Sequence, residues 1–405
     1  MLSLANNISA TQAVESKYSA NFDGTDEYID TGQTFNSVFV GDFSISFWMK
    51  PDDGRQSTEA CFVFGADNDS NNDGNSGGRA EIYFELQSDG APRFVMTAKS
   101  DVGVWSTDGN GGFAFDDGAA SSWTHFVITV DLQGSGDSIV KIYVNGEDKS
   151  SEDATMASGN HDDYTSDMSL VLGGRNIEGT VSGFYGGGLD EFAIFNTVLD
   201  SDAVTAIYNS NSPLNLKFNQ GNYDNSSALQ TYYRMGNGFF DDKVNGIVHD
   251  QDNPGFGSNL VTWDGSTTGD WSVAHSNTTL SANSGRLRAT ANASGAYGVS
   301  QSFTTLVGEV YRVDYDISVD NASGGTGNLR VSINSDLSSQ LATLSTSTET
   351  GVGYFTATAT TTHIGLVDTA DDSSNYLELE SISVKKLNGN PGVTSGGVTF
   401  SSDTP

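Results

Sequence analysis

Apolar and polar residues alternate with period two along most of this chain, and Gly, Asp, Asn or Ser breaks the pattern every few residues. The runs YSANFDG, EYIDTG, FSISFWMKP, CFVFG, EIYFELQ, RFVMTA, GVWSTD, WTHFVITVD, KIYVNG, MSLVLGG and LDEFAIFN are each of strand length. A second series begins at Ser258: SNLVTWDG, DWSVAH, GRLRATA, YGVSQSF, VYRVDYDISV, NLRVSIN, GYFTATAT, THIGLVD and YLELESISVKKL. Successive strand side chains point to opposite faces, so each run presents one apolar face to bury. Gly 47 against Pro 6 supplies the turns that such an arrangement needs. The fold class that follows is all-β: two antiparallel β-sandwich (jelly-roll) domains joined by an irregular linker. One short stretch departs from the pattern. In SDAVTAIYNS (201–210), Val204, Ile207 and Tyr208 fall at helical spacing.

The boundaries follow from where the alternation stops. Residues 1–16 read as a polar N-terminal arm, 17–210 as the first jelly roll and 211–256 as a linker with one short strand. Residues 257–387 read as the second sandwich and 388–405 as an extended C-terminal tail. The two series share no repeat, so the chain is two modules and not an array.

Charge limits the partners. Eighteen Lys and Arg against 52 Asp and Glu give a net −34. A field of that sign repels phosphate backbones and anionic bilayers, which argues against nucleic acid and against docking to membrane surfaces. Cys61 is the single cysteine, so an intrachain disulfide and a CxxC site are both excluded. Its neighbours Phe62, Val63 and Phe64 point to a buried strand thiol. The opening MLSLANNISATQAVESKYSA has neither a basic start nor a long apolar run, and it reads as neither a signal peptide nor a membrane span.

Several segments in family order resemble the laminin-G-like, concanavalin A-type jelly roll, over roughly Lys17–Asn211. They are Phe22–Ile29 (FDGTDEYI), Phe43–Pro51, Trp123–Asp131, Lys141–Gly146 and the closing Leu189–Asn209 (LDEFAIFNTVLDSDAVTAIYN). The second block resembles a carbohydrate-binding-module jelly roll over about Ser258–Leu387. SNLV, DWSV, Ser300–Val313 and Leu377–Lys385 carry that likeness, with Glu380 where that family usually has Asp. The pairing of modules resembles structural proteins of marine tailed bacteriophages.

Candidate sites follow from both lines of reading. In jelly rolls of the first kind the opening turn and the last strand lie side by side and share a calcium ion. The matching positions are Asp23, the Gly24 carbonyl and Asp190, and an Asx-turn at Asp23 with a cap at Asp190 explains them equally well. Asp69, Asn71 and Asp73 with Gly74 match the first half of an EF-hand-type loop. A solvated hairpin loop accounts for the same residues, because the acid expected at position twelve falls on Ala80. Sugar recognition needs an exposed ring beside fixed polar groups, and Trp105, Tyr185 and Tyr297 in Gly-rich surroundings are the carbohydrate-binding candidates. Trp48 and Trp123 read as core.

No catalytic residue is assigned. Glu81 and Glu85 share a face of one strand, but no third carboxylate stands in register as a laminarinase-like motif requires. The five histidines stand singly, and His125 reads as structural. The expected function is a non-catalytic phage virion surface protein, either capsid decoration or head/tail fibre, released by assembly and lysis. Its modules engage glycans or neighbouring subunits. A secreted bacterial adhesin and a polysaccharide-depolymerising spike are the alternatives. Expected partners are other virion proteins, host-surface glycans and copies of itself, a trimer by analogy with fibres. Residues 1–15 serve as the attachment arm, and Tyr232, Tyr233, Arg234 and Met235 are buried on oligomerisation.

Overall fold

The alternating runs form strands, and their apolar faces pair into two separate cores. The computed structural model describes residues 16–55, 61–68, 80–98, 101–107, 112–132, 138–150, 164–238, 241–263, 267–321, 327–369 and 375–405. With 52% strand and 5% helix the chain is all-β, as the alternation requires. Among the described residues no helix is long and apolar enough to cross a membrane.

The first compact unit runs to Pro254 and also takes in Gly389–Pro405. It opens with β1 (Ser19–Asp23), β2 (Tyr28–Asp30), α1 (Asn36–Phe39), β3 (Phe43–Pro51), β4 (Cys61–Asp67) and β5 (Ala80–Leu86). Then come β6 (Pro92–Ala98), β7 (Asp101–Ser106), β8 (Thr124–Asp131), β9 (Ile139–Val144) and β10 (Glu147–Asp148). After these lie β11 (Val171–Leu172), β12 (Arg175–Ile177), β13 (Thr180–Ser182), β14 (Gly186–Phe195), α2 (Ser201–Tyr208), β15 (Leu229–Tyr233) and β16 (Ile247–Val248). The second unit, Gly255–Asn388, contains β17 (Phe256–Thr262), β18 (Ser272–Val273), β19 (Thr278–Asn283), β20 (Arg286–Ala291), β21 (Tyr297–Thr304) and β22 (Val310–Asn321). It ends with β23 (Asn328–Ser332), β24 (Gln340–Ser345), β25 (Thr350–Thr356), β26 (Thr361–Asp368) and β27 (Tyr376–Leu387). The chain then returns to the first unit as β28 (Gly392–Ser395) and β29 (Thr399–Ser401).

In the first unit, one sheet has the order β10-β9-β8-β3-β14-β1-β29, with β15 also on β14. The other runs β16-β28-β2-β11-β4-β5-β6-β7, with β12 and β13 added beside β4. Between them lies an aromatic core in which Phe47 packs against Phe64, Phe84, Phe126 and Phe192 at centroid distances of 5.1–6.2 Å. Cys61 belongs to this core, and burial pushes its thiol up to about 12. Helix α2 forms where the helical spacing lies. The Asp200 carboxylate caps it by accepting from the Ala203 amide at 2.8 Å, and Ala203, Val204 and Ile207 face inward.

The linker and the tail differ from their sequence reading. Residues 211–233 lay Leu214, Leu216, Tyr223, Leu229 and Tyr232 over the outer face of the first sheet, against Val127, Phe195 and α2. Tyr232, Tyr233 and Met235 are therefore fully buried inside this unit and not at an oligomer surface, because β15 pairs with β14. The terminal segment adds one strand to each sheet: β28 between β2 and β16, and β29 beside β1. Gly396 makes the turn between them at φ 74°, where a Cβ would sit 2.3 Å from the Asp26 carbonyl oxygen. Low complexity hid a short alternation, V-T-S-G-G-V-T-F, whose partners β1 and β2 lie more than 350 residues away. The Asp250 carboxylate ties the points where the chain leaves and re-enters this unit. It accepts from the Tyr232, Asp252 and Asn390 amides at 2.9, 3.0 and 3.2 Å. The arm, residues 1–15, lies outside the described residues.

The second unit pairs β19-β20-β27-β22-β25, with β17 on β27, in one sheet and β18-β21-β26-β23-β24 in the other. Val299, Val313, Leu329, Ile364, Leu379 and Val384 are among the residues of its core.

Candidate functional site

In β4, β5 and β6 both faces are buried, and only one of them belongs to the sandwich core. Ala80, Ile82, Phe84 and Leu86 of β5 point inward with Phe94, Met96 and Ala98 of β6. By alternation Glu81, Tyr83 and Glu85 point outward with Arg93, Val95 and Thr97. The register sets Asp67 and Thr97 on either side of Glu81, and Arg93 opposite Glu85. A bulge in β4 between Phe62 and Phe64 turns the Phe62 ring outward, where it meets Tyr83 edge-on at 5.1 Å. Phe62, Tyr83, Val95 and Val104 make a small apolar cluster of their own on this face.

Arg175 completes the arrangement. It comes from β12, which runs parallel to β4 and brings Asn176 beside Ala66. Its guanidinium donates to both Asp67 and Glu81, at 2.5 Å for the Glu81 Oε2 contact. The same group lies 4.2 Å from the Tyr83 ring centroid and 5.2 Å from that of Phe62. Gly65 makes room for it, since a Cβ there would lie 2.9 Å from Tyr83 Cβ and 3.1 Å from Arg175 Cγ. The Thr97 hydroxyl donates to the other Glu81 oxygen at 2.6 Å, and Arg93 binds Glu85. Burial pushes the Tyr83 phenol up to about 12, with Glu81 and Glu85 adding to the shift. Burial also raises the Glu85 carboxyl, against the pull of Arg93.

The parts nearest solvent are the Arg93 side chain, 32% exposed, and Val104 and Ser106 of β7 beside it, while Phe62 and Tyr83 are buried at 8% each. The carboxylates lie beneath and fix the two guanidinium groups. Such a face offers the fixed N–H donors of Arg93 to a ligand's oxygens, beside the partly exposed Val104.

The sequence candidates are placed elsewhere. Asp23 stands opposite Gly186, so Asp190 lies four residues further along β14, roughly 13 Å away at 3.3 Å per residue. Asp23 accepts the Thr25 amide at 2.8 Å, the Asx-turn geometry, and the Gly24 turn has φ 76°. The Asp190 carboxylate is fully buried and is held by the Ser16 hydroxyl at 2.7 Å and the Glu191 amide at 2.8 Å. Burial, with Glu191 beside it, holds this carboxyl well above the usual range. Asp23 and Asp190 are thus not brought to one ion. Among the described residues no three His, Cys, Asp or Glu side chains form a metal-holding group. Asp69, Asn71 and Asp73 lie outside the described residues.

The three ring candidates are interior and not exposed platforms. Trp105 is 4% exposed and stacks on Phe94 at 5.8 Å, because it sits on the inward face of β7. Tyr185 is buried against Phe22, and its hydroxyl donates to the Gly188 carbonyl at 3.0 Å. Tyr297 belongs to the core of the second unit. The Gly-rich surroundings of Tyr185 and Tyr297 reflect close packing of backbone and not loop exposure. Trp48 and Trp123 are buried as read. His125 is enclosed by Ser46, Trp48 and Tyr208, and burial drops its imidazole to about 3.

Sequence reading found the shared face of Glu81 and Glu85 but missed Phe62, Asp67, Arg93 and Arg175. Outward charge in strands as apolar as β4 to β6 was the available signal. Arg175 gave none, since it sits in a strand of three residues.

Residues 23–205 match the family model described as the concanavalin A-like lectin/glucanases superfamily, of laminin-G type. This part of the chain is a laminin-G-like jelly-roll domain. No curated protein matches the chain. The solved SAP-like pentraxin from Limulus polyphemus, a heptamer, is 13% identical over 48% of this chain and 82% of its own, with a TM-score of 0.31. The CBM40 of the Ruminococcus gnavus IT-sialidase is 14% identical over 47% of this chain and 97% of its own, with a TM-score of 0.30.

Proposed function

We propose that the laminin-G-like domain is a non-catalytic glycan-binding module whose contact face is the outer side of β4, β5, β6 and β12. One observation carries this reading. On a lectin-type sandwich, the Arg93 guanidinium reaches solvent above the buried Phe62, Tyr83 and Arg175, and a buried carboxylate, Glu85, fixes it. A binding site gains from groups locked before the ligand arrives, because less side-chain freedom is lost on association.

The carboxylates support binding over hydrolysis. A glycosidase needs one carboxyl protonated and the other free, about 5–9.5 Å apart across the scissile bond. Here Asp67 and Glu81 share one guanidinium and Glu85 is bound to another. A glycan array read with wild type, Tyr83→Ala and Arg93→Ala tests the assignment. Retained signal in both variants would remove this face, and new reducing ends from a bound polymer would make the protein an enzyme.

The setting we propose is a virion surface, as decoration or fibre, in contact with other virion proteins and as a homo-oligomer, with a secreted adhesin as the alternative. A net charge of −34 on an all-β chain supports it, since strong like charge keeps densely displayed modules soluble. Mass spectrometry of purified virions and light-scattering mass test the two parts.

A further inference from the structure

We infer that the face formed by β4, β5, β6 and β12 selects glycans without acidic groups, that is, neutral hexose oligomers, and discriminates against sialylated, uronic or sulfated ones. The inference rests on the glycan-binding reading above and adds the ligand class.

The first support is local pairing. An anionic sugar is held where a guanidinium or ammonium has hydrogen-bonding capacity and charge to spare. On this face the charge of both arginines is already matched. Arg175 faces two carboxylates, Asp67 and Glu81, and Arg93 faces Glu85. Among the described residues the balance is therefore three carboxylates to two guanidiniums. A sugar carboxylate brought to Arg93 would have to compete with Glu85, which is almost wholly buried and cannot turn out to solvent. Displacing it would leave an uncompensated charge in the interior, which is among the costlier changes a fold can suffer.

The second support is independent of the site. Residues 23–205 carry 8 basic and 32 acidic side chains, a net −24. An approaching anion meets that field before it meets any donor, and the repulsion is screened over about 8 Å at physiological salt. Hydroxyl groups feel neither penalty. They accept from the N–H groups of Arg93, the arginine that reaches solvent here, beside the partly exposed Val104.

The test compares ligands that differ only in the acid. Binding of lactose-terminated and sialyllactose-terminated glycans, and of a neutral glucan and a polyuronate of similar length, is measured on the full chain at 0.05 and 0.5 M NaCl. Binding of the neutral member is expected to be at least about tenfold tighter at low salt, from one net charge several ångströms away. High salt should narrow the gap. Glu85→Gln, shown to be folded by its circular dichroism, should gain affinity for the acidic member because Arg93 is released. Equal or tighter binding of the acidic glycans by wild type overturns the inference and leaves glycan binding intact. So does a folded Glu85→Gln that keeps the original preference. Absence of binding to every glycan overturns the glycan-binding reading and this inference with it.

Discussion

Replacing Arg175 by Met should unsettle the first unit more than the loss of a surface ion pair does. The side chains of Arg175, Asp67 and Glu81 are 10%, 2% and 3% exposed, so solvent screens their interaction little. Met retains the stem beside Gly65 and removes only the guanidinium. Two buried carboxylates then lose the guanidinium they share. Breaking a buried pair in this way costs about 3–5 kcal/mol, most of it the charge left behind. Loss of the guanidinium over Tyr83 adds about 0.5–2 kcal/mol. At roughly 2–4 °C per kcal/mol for a unit of this size, Tm should fall by at least about 6 °C at pH 7.5. Thermal and urea unfolding followed by tryptophan fluorescence measure the loss. Adding Asp67→Asn and Glu81→Gln to Arg175→Met should recover much of the loss, since the charges are then gone with their partner. A single variant that loses less than about 1 kcal/mol would place these groups in effective contact with water and refute the argument.

Three further outcomes follow from single positions. Gly65→Ala should cost about 1–3 kcal/mol and weaken glycan binding together with stability, because the new Cβ meets Tyr83 Cβ at 2.9 Å; unchanged unfolding and binding would show that Tyr83 can yield. Gly396→Ala should loosen the returning strands, since φ is 74° and Asp26 O lies 2.3 Å from the added atom. Faster proteolytic clipping after Leu387 is the readout, and a wild-type cleavage rate would contradict it. Burial raises Asp241 and Asp250 to about 6, above the unfolded value near 3.9. Each therefore adds stability that is fully present below pH ~4 and lost as pH rises through 6. Buried His125, near 3 when folded, works in the opposite sense, losing stability as pH falls below about 6.5. Asp250→Asn should flatten the gain between pH 7 and pH 5 and His125→Gln should steepen it, as followed by Tm across that range. Parallel curves for wild type and both variants would dismiss the assignment.

The fold was legible because alternation is local. Each strand of β3, β5, β8 and β14 announces its buried face within seven to ten residues, and the helix over 201–208 shows its spacing in the same way. What the sequence could not show is register, which depends on partners far along the chain. Asp23 and Asp190 belong to paired strands, yet a stagger of four residues keeps them from one ion. Tyr185 and Tyr297 sit among glycines that looked like loop residues, but those glycines allow backbones to approach and so bury the rings. The outer face of β4 to β6 illustrates both sides. The placing of Glu81 and Glu85 on one face follows from spacing alone, whereas their role depends on Arg175, 94 residues from Glu81. A pair of strand carboxylates reads as chemistry until a guanidinium is found between one of them and a third acid. With it, the same residues become the fixed floor of the binding face we propose. The distinction lies in one long-range contact, and that contact is why charge pairing, more than carboxylate spacing, decides which ligands the face can hold.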